Sequence, residues 1–109
     1  YLGKNQESLN LFQEYLSLVS LSASRSGLAY YFMGEIFIRQ AKYQHADIAL
    51  SQAVAIEPLK DFWWLRLGYT RELARSYGSA LLAYNQALTL SPFLEDAISG
   101  RERVKKLIR

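Results

Sequence analysis

The sequence predicts an all-α fold of antiparallel helix pairs. Three observations lead there. Landmark residues recur at a spacing of 34, as Gly34 and Gly68 and as Pro58 and Pro92. Between the landmarks, apolar residues recur at i, i+3 and i+4. Glycine and alanine occupy places where paired helices would cross, and helix axes approach to about 8–10 Å only over small side chains.

The composition sets the frame for these helices. The chain has 109 residues, half of them hydrophobic, 14% aromatic and 21% charged, with a net charge of +3. That is the profile of one globular domain with a modest core, with too little charge for a disordered segment or a nucleic-acid stripe. Cysteine is absent, which removes disulfides and thiolate chemistry and fits any redox compartment. No run of about 18 apolar residues is present, so no transmembrane helix is expected.

Taken in order, residues 5–22 carry Leu9, Phe12, Leu16 and Val19 at the spacing of one amphipathic helix. Ser22 to Gly27 then read as a turn-rich link. The first repeating unit, 27–60, places Leu28, Tyr31, Phe32, Glu35 and Ile38 on a first helix. Its second helix carries the stripe Ala46, Ala49, Leu50, Ala53 and Val54. The second unit, 61–94, repeats it: Ala80 answers Ala46, Ala87 answers Ala53, Tyr84 answers Leu50, Trp64 answers Tyr30 and Leu67 answers Met33. Pro58 and Pro92 stop the second helix of each unit, because proline cannot continue a helix interior. Asp61 stands where an N-cap would. Gln44-His45 and Tyr77-Gly78 mark the breaks inside the units. A last helix runs from Glu95 to about Ile108, with Ala97, Val104, Leu107 and Ile108 on its apolar side. The count is about six helices.

The order of aromatic, Leu or Met, Gly, Ala, aromatic or Leu, Ala and Pro in these units resembles the tetratricopeptide (TPR) repeat. The resemblance covers the two units and departs at one place, where Phe37 of the first is answered by Arg71 of the second. It implies one TPR-like domain over 1–109, with helix pairs stacked as a right-handed superhelix (an α-α solenoid). Residues 5–22 would be the second helix of a preceding repeat, and 95–108 a solvated capping helix. It also implies that Tyr30, Phe37, Trp64 and Tyr84 pack in the core; Trp63 fits either core or groove.

No constellation for chemistry is found. The single histidine, His45, falls in a predicted turn with Asp47 near it, which is too little for acid–base work or a metal site. Gly34 and Gly68 lie within helices, and no phosphate-cradling glycine motif occurs. Ser24, Ser26 and Gly27 make a turn rather than a nucleophile elbow. Residues 95–109 hold five basic and three acidic side chains, which read as a solvated face rather than a nucleic-acid contact. The expectation is therefore no catalytic residue, no cofactor, no metal, no nucleic-acid partner and no membrane insertion.

The family resemblance implies a concave groove lined by the first helices. Carried over, its residues are Leu28, Tyr31, Glu35 and Ile38 in the first unit and Phe62, Leu65, Tyr69 and Glu72 in the second, with Arg39 and Arg66 at the rim. One subset of the family grips chaperone C-termini through Lys, Asn and Arg. The matching places here hold Tyr31, Glu35, Arg66, Asp96 and Gly100, which do not make such a clamp. The groove is apolar and aromatic with acidic spots at Glu35 and Glu72, so the expected partner is a protein or peptide segment that is apolar or basic. The function this implies is a non-catalytic protein-interaction module. Alternatives are an accessory domain of a larger bacterial enzyme or assembly machine, or a self-associating scaffold. Replacing Tyr31 and Tyr69 by Ala is expected to weaken ligand binding with a nearly unchanged melting temperature; loss of folding would assign them to the core.

Overall fold

A computed structural model describes residues 23–108, and the expected helix over 5–22 lies outside them. Five α-helices occur among the described residues: α1 Ala23–Arg39, α2 Tyr43–Ile56, α3 Asp61–Leu73, α4 Tyr77–Leu90 and α5 Glu95–Leu107. They fall into two compact units that part between Glu57 and Pro58. In the first, α1 packs on α2; in the second, α4 packs on both α3 and α5.

The first unit follows its sequence pattern closely. The predicted stripe of α2 (Ala46, Ala49, Leu50, Ala53 and Val54) is the set of buried residues on that helix. Leu50 packs against Gly34 of α1, where an added methyl group would stand 2.5 Å from Leu50 Cγ. The expected link from Ser22 to Gly27 is corrected, because α1 already begins at Ala23. Gly27 is there for space rather than for a turn: a Cβ on it would stand 2.6 Å from the Glu57 carboxylate.

In the second unit one side chain organises three helices. Leu65, Ala80, Tyr84, Ala87, Ala97 and Val104 belong to one buried cluster. Tyr84, 1% exposed, takes the place that Leu50 takes in the first unit. A methyl group on Gly68 of α3 would stand 2.8 Å from the Tyr84 ring, and one on Gly100 of α5 would collide with that ring. Both helices approach α4 closely because neither glycine has a Cβ. Thr70 is fully buried, and its hydroxyl is satisfied by donating to the Arg66 carbonyl at 2.8 Å.

The helix ends explain where the sequence reading misplaced breaks. The first helix of each unit ends in a left-handed residue, Ala41 (φ 59) and Arg75 (φ 64), again 34 apart. After Ala41, the Lys42 amide donates to the Phe37 carbonyl at 2.9 Å; after Arg75, the Ser76 amide donates to the Arg71 carbonyl at 2.9 Å. These are Schellman closures without the usual glycine, so no Gly or Asn marks them in the sequence. Gln44-His45 and Tyr77-Gly78 lie in the first turns of α2 and α4. Asp61 is likewise the first residue of α3 and not its cap, and it accepts a hydrogen bond from the Ser91 hydroxyl. The residues before the two prolines, Glu57 and Ser91, have φ of −129° and −138°, outside the helical range that a following proline disfavours.

Further expectations shift. Tyr84 is core and the half-buried Trp64 packs against the same cluster, whereas Tyr30 and Phe37 are half-buried; the Trp64 indole N–H finds the Pro58 carbonyl at 2.8 Å, a polar tip at the edge of the core. Trp63 is buried. On α5, Ala97, Gly100 and Val104 are the buried residues, while Leu107 and Ile108 are exposed, because the helix closes at Leu107. Arg71 takes the place of Phe37 with a different contact. Phe37 packs on His45 with ring centroids 5.4 Å apart, and Arg71 instead donates to the Ser79 carbonyl at 3.3 Å.

Left-handed backbone costs a residue with a Cβ about 1 kcal/mol relative to glycine. Arg75→Gly is therefore expected to raise stability by about 0.5–1 kcal/mol and the melting temperature by a few degrees, measured by thermal and urea unfolding. A lower melting temperature would show that the Arg75 side chain contributes more than the strain costs.

Candidate functional site

The predicted groove residues of the first unit lie along α1. Leu28 and Arg39 are exposed, and Tyr31, Glu35 and Ile38 are half-buried. Their spacing of three or four puts Leu28, Tyr31, Glu35 and Ile38 along one side of the helix. The Tyr31 ring meets Phe32, with centroids 5.7 Å apart.

In the second unit the predicted residues converge on a cavity of about 250 Å³. From α3 come Phe62, Leu65, Arg66 and Tyr69, again at helical spacing. The opposite wall is α5, through Asp96, Ser99 and Arg103, and Tyr84 of α4 lines the cavity between them. Phe62 is 49% exposed and Leu65 only 5%. Leu65 is thus corrected from an open groove position to a buried residue whose edge lines the cavity. The Arg66 guanidinium sits 4.8 Å from the centre of the Tyr69 ring, a cation–π arrangement that orders both side chains.

Glu72 is the second correction. It was expected to offer negative charge to a partner, but it does not line the cavity and is engaged within the fold. Arg103 donates to it through Nε at 2.8 Å and Nη2 at 3.0 Å, a bidentate pair. The Tyr84 hydroxyl donates to the same carboxylate at 2.6 Å. The Arg103 hydrogen bonds hold the Glu72 carboxyl below the usual carboxylate range, against the opposing cost of burial, and the Tyr84 bond adds to them. Burial, helped by the neighbouring carboxylate, pushes the Tyr84 phenol above its ordinary range. The same pairing holds the Arg103 proton more firmly. The sequence reading had no means to find Arg103 or Ser99, which lie more than 25 residues from α3 along the chain. Asp96 was reached only through the comparison with the chaperone clamp.

The lining of the cavity includes Asp96 and Ser99, with no histidine or cysteine beside them. Among the described residues there is no group of three His, Cys, Asp or Glu side chains that could hold a metal ion. His45 is exposed in the first turn of α2. No described helix is long and apolar enough to cross a membrane.

No family model matches the chain, and no curated protein is similar to it in sequence. Solved structures are similar in fold. The TPR domain of Arabidopsis OM64 is 24% identical at a TM-score of 0.83, covering 97% of this chain and 84% of that one. The first TPR domain of Spaghetti (RPAP3), solved with the HSP90 peptide SRMEEVD, is 17% identical at a TM-score of 0.85, covering 97% and 81%. The Sgt2 TPR domain from Aspergillus fumigatus is 18% identical at a TM-score of 0.83, covering 96% and 68%. The chain therefore has a helical-repeat fold of the TPR type.

The Glu72–Arg103–Tyr84 cluster has a defined pH dependence. A carboxyl with a lowered folded-state pKa adds stability that is present above its ordinary value of 4.5 and lost as pH falls through the lower folded value. Arg103→Ala is expected to cost about 1–2 kcal/mol, the lower part of the range for charge-assisted bonds because Arg103 is half-exposed. In the variant, urea midpoints should fall less steeply below pH 4.5 than in the unaltered chain. Parallel pH profiles would show that the pair contributes nothing.

Proposed function

We propose that this chain is a non-catalytic protein-interaction module whose ligand is a peptide or protein segment. The observation that carries the reading is the cavity in the second unit. Four residues taken from the groove and rim positions of the TPR repeat, Phe62, Leu65, Arg66 and Tyr69, meet around it. An exposed aromatic over an apolar floor suits an anchoring side chain of a ligand. The OM64, RPAP3 and Sgt2 domains support the reading, the RPAP3 domain having been solved with a peptide. In the first unit, considered by itself, Leu28, Tyr31, Glu35 and Ile38, with Arg39 beyond them, are proposed as ligand contacts along α1. The partner is apolar or basic, since the clamp residues for an acidic chaperone tail are replaced by Tyr31, Glu35, Asp96 and Gly100.

The proposed domain runs over 1–109, with units at 27–60 and 61–94 and a cap at 95–108. The register of α5 supports the cap. Arg101, Glu102 and Lys105 stand where Met33, Gly34 and Phe37 stand in the first unit and Leu67, Gly68 and Arg71 in the second. A glycine that would seat a paired helix is thus replaced by the exposed Glu102. A polar outer face of this kind closes a repeat array to water.

The test uses peptides selected from a displayed random library and titrated against the full chain. Phe62→Ala is expected to lower affinity about tenfold with the melting temperature held within a few degrees, as for an exposed anchor. Leu65→Ala is expected to cost about 2–4 kcal/mol of stability. Unchanged affinity in Phe62→Ala would remove the cavity from the binding surface.

A further inference from the structure

The cavity of the second unit carries three charged side chains, and they are not equivalent. Arg103 is bound bidentately to Glu72, so its charge is balanced inside the fold. Arg66 lies over the Tyr69 ring, a contact that orders its guanidinium without cancelling its charge. Asp96 is the third. It lies exposed in the first turn of α5, and neither hydrogen bond nor ion pair engages its carboxylate among the described residues. The helix N-terminus favours its ionised form without neutralising it. One turn on, Ser99 adds a hydroxyl to the same wall. Across the cavity, Phe62 presents an exposed ring, and an aromatic face attracts a cation.

We infer that the cavity selects a cationic side chain of the ligand, Lys or Arg, through Asp96, while an adjoining apolar side chain seats against Phe62 and Leu65. The inference rests on reading this unit as a peptide-binding module and names the chemistry of its ligand. The alkyl stem of Lys or Arg suits the apolar floor, and its charged head reaches the carboxylate at the rim. A carboxylate in the same place would meet Asp96, with Arg103 already paired to Glu72. Because Asp96 is exposed, its pairing sets selectivity more than affinity. The acidic function expected at Glu72 thus moves to Asp96 on the facing helix.

The experiment is selection of a phage-displayed random heptapeptide library on the full chain, followed by titration of the best peptide as its C-terminal amide. The expected outcome is enrichment of Lys or Arg within two residues of a bulky apolar residue. Exchanging that cation for Gln in the peptide, or Asp96→Asn in the protein, should each weaken binding about 2- to 5-fold. The effects of the two changes together should not add. The peptide exchange needs no altered protein, so the inference stays testable even if Asp96→Asn folds poorly. Enrichment of Asp or Glu, or affinity indifferent to both changes, overturns the inference while leaving peptide binding intact. Absence of any enrichment on a folded chain overturns the binding module itself.

Discussion

The second unit depends on the seating of Tyr84. Its ring enters a slot that exists because Gly68 on α3 and Gly100 on α5 both lack a Cβ. Burying a phenol costs free energy unless its hydroxyl finds a partner. That partner is Glu72, which Arg103 holds in turn. Three helices thus converge on one carboxylate, and the apolar wedge and the polar network constrain the same geometry. The close approach brings the α3 and α5 walls of the cavity to face one another.

The two units show how one repeat pattern accepts different solutions. Leu50 fills the space beside Gly34 without a polar atom to satisfy, so the first unit needs no network there. Tyr84 at the same register reaches further and brings Glu72 with it. Phe37 packs on His45 in one unit, and Arg71 reaches the Ser79 carbonyl in the other. In each case a residue that breaks the pattern is compensated by a contact its counterpart lacks. The exchange is local because each helix pair carries much of its own packing.

A fold by itself does not fix a function, so the side chains around the cavity say more than the repeat does. The half-buried Glu72 is taken up by Arg103 and Tyr84, while Asp96 stays exposed at the rim. Phe62 and Leu65 both line the cavity, one exposed and one buried. Gly100 is held as glycine by the Tyr84 ring, which any Cβ there would meet.

Much of the fold was legible because its signals are local or strictly periodic. The 34-residue recurrence of Gly, Ala and Pro, the α2 stripe and the proline stops all follow from helix geometry and from proline's missing amide hydrogen. Four cavity residues, Phe62, Leu65, Arg66 and Tyr69, were reached through the same register. The left-handed ends at Ala41 and Arg75 were not legible, since nothing in those side chains announces a positive φ. Nor were the roles of Glu72, Asp96 and Arg103. Those depend on which side chains of α3 and α5 meet, and only packing about Tyr84 decides that. By itself the sequence determined the helices, their pairing and the repeat, because spacing along a chain sets which residues share a helix face. The tertiary structure alone decided which charges are balanced within the fold and which stay exposed at the surface, because charge compensation depends on distance in space.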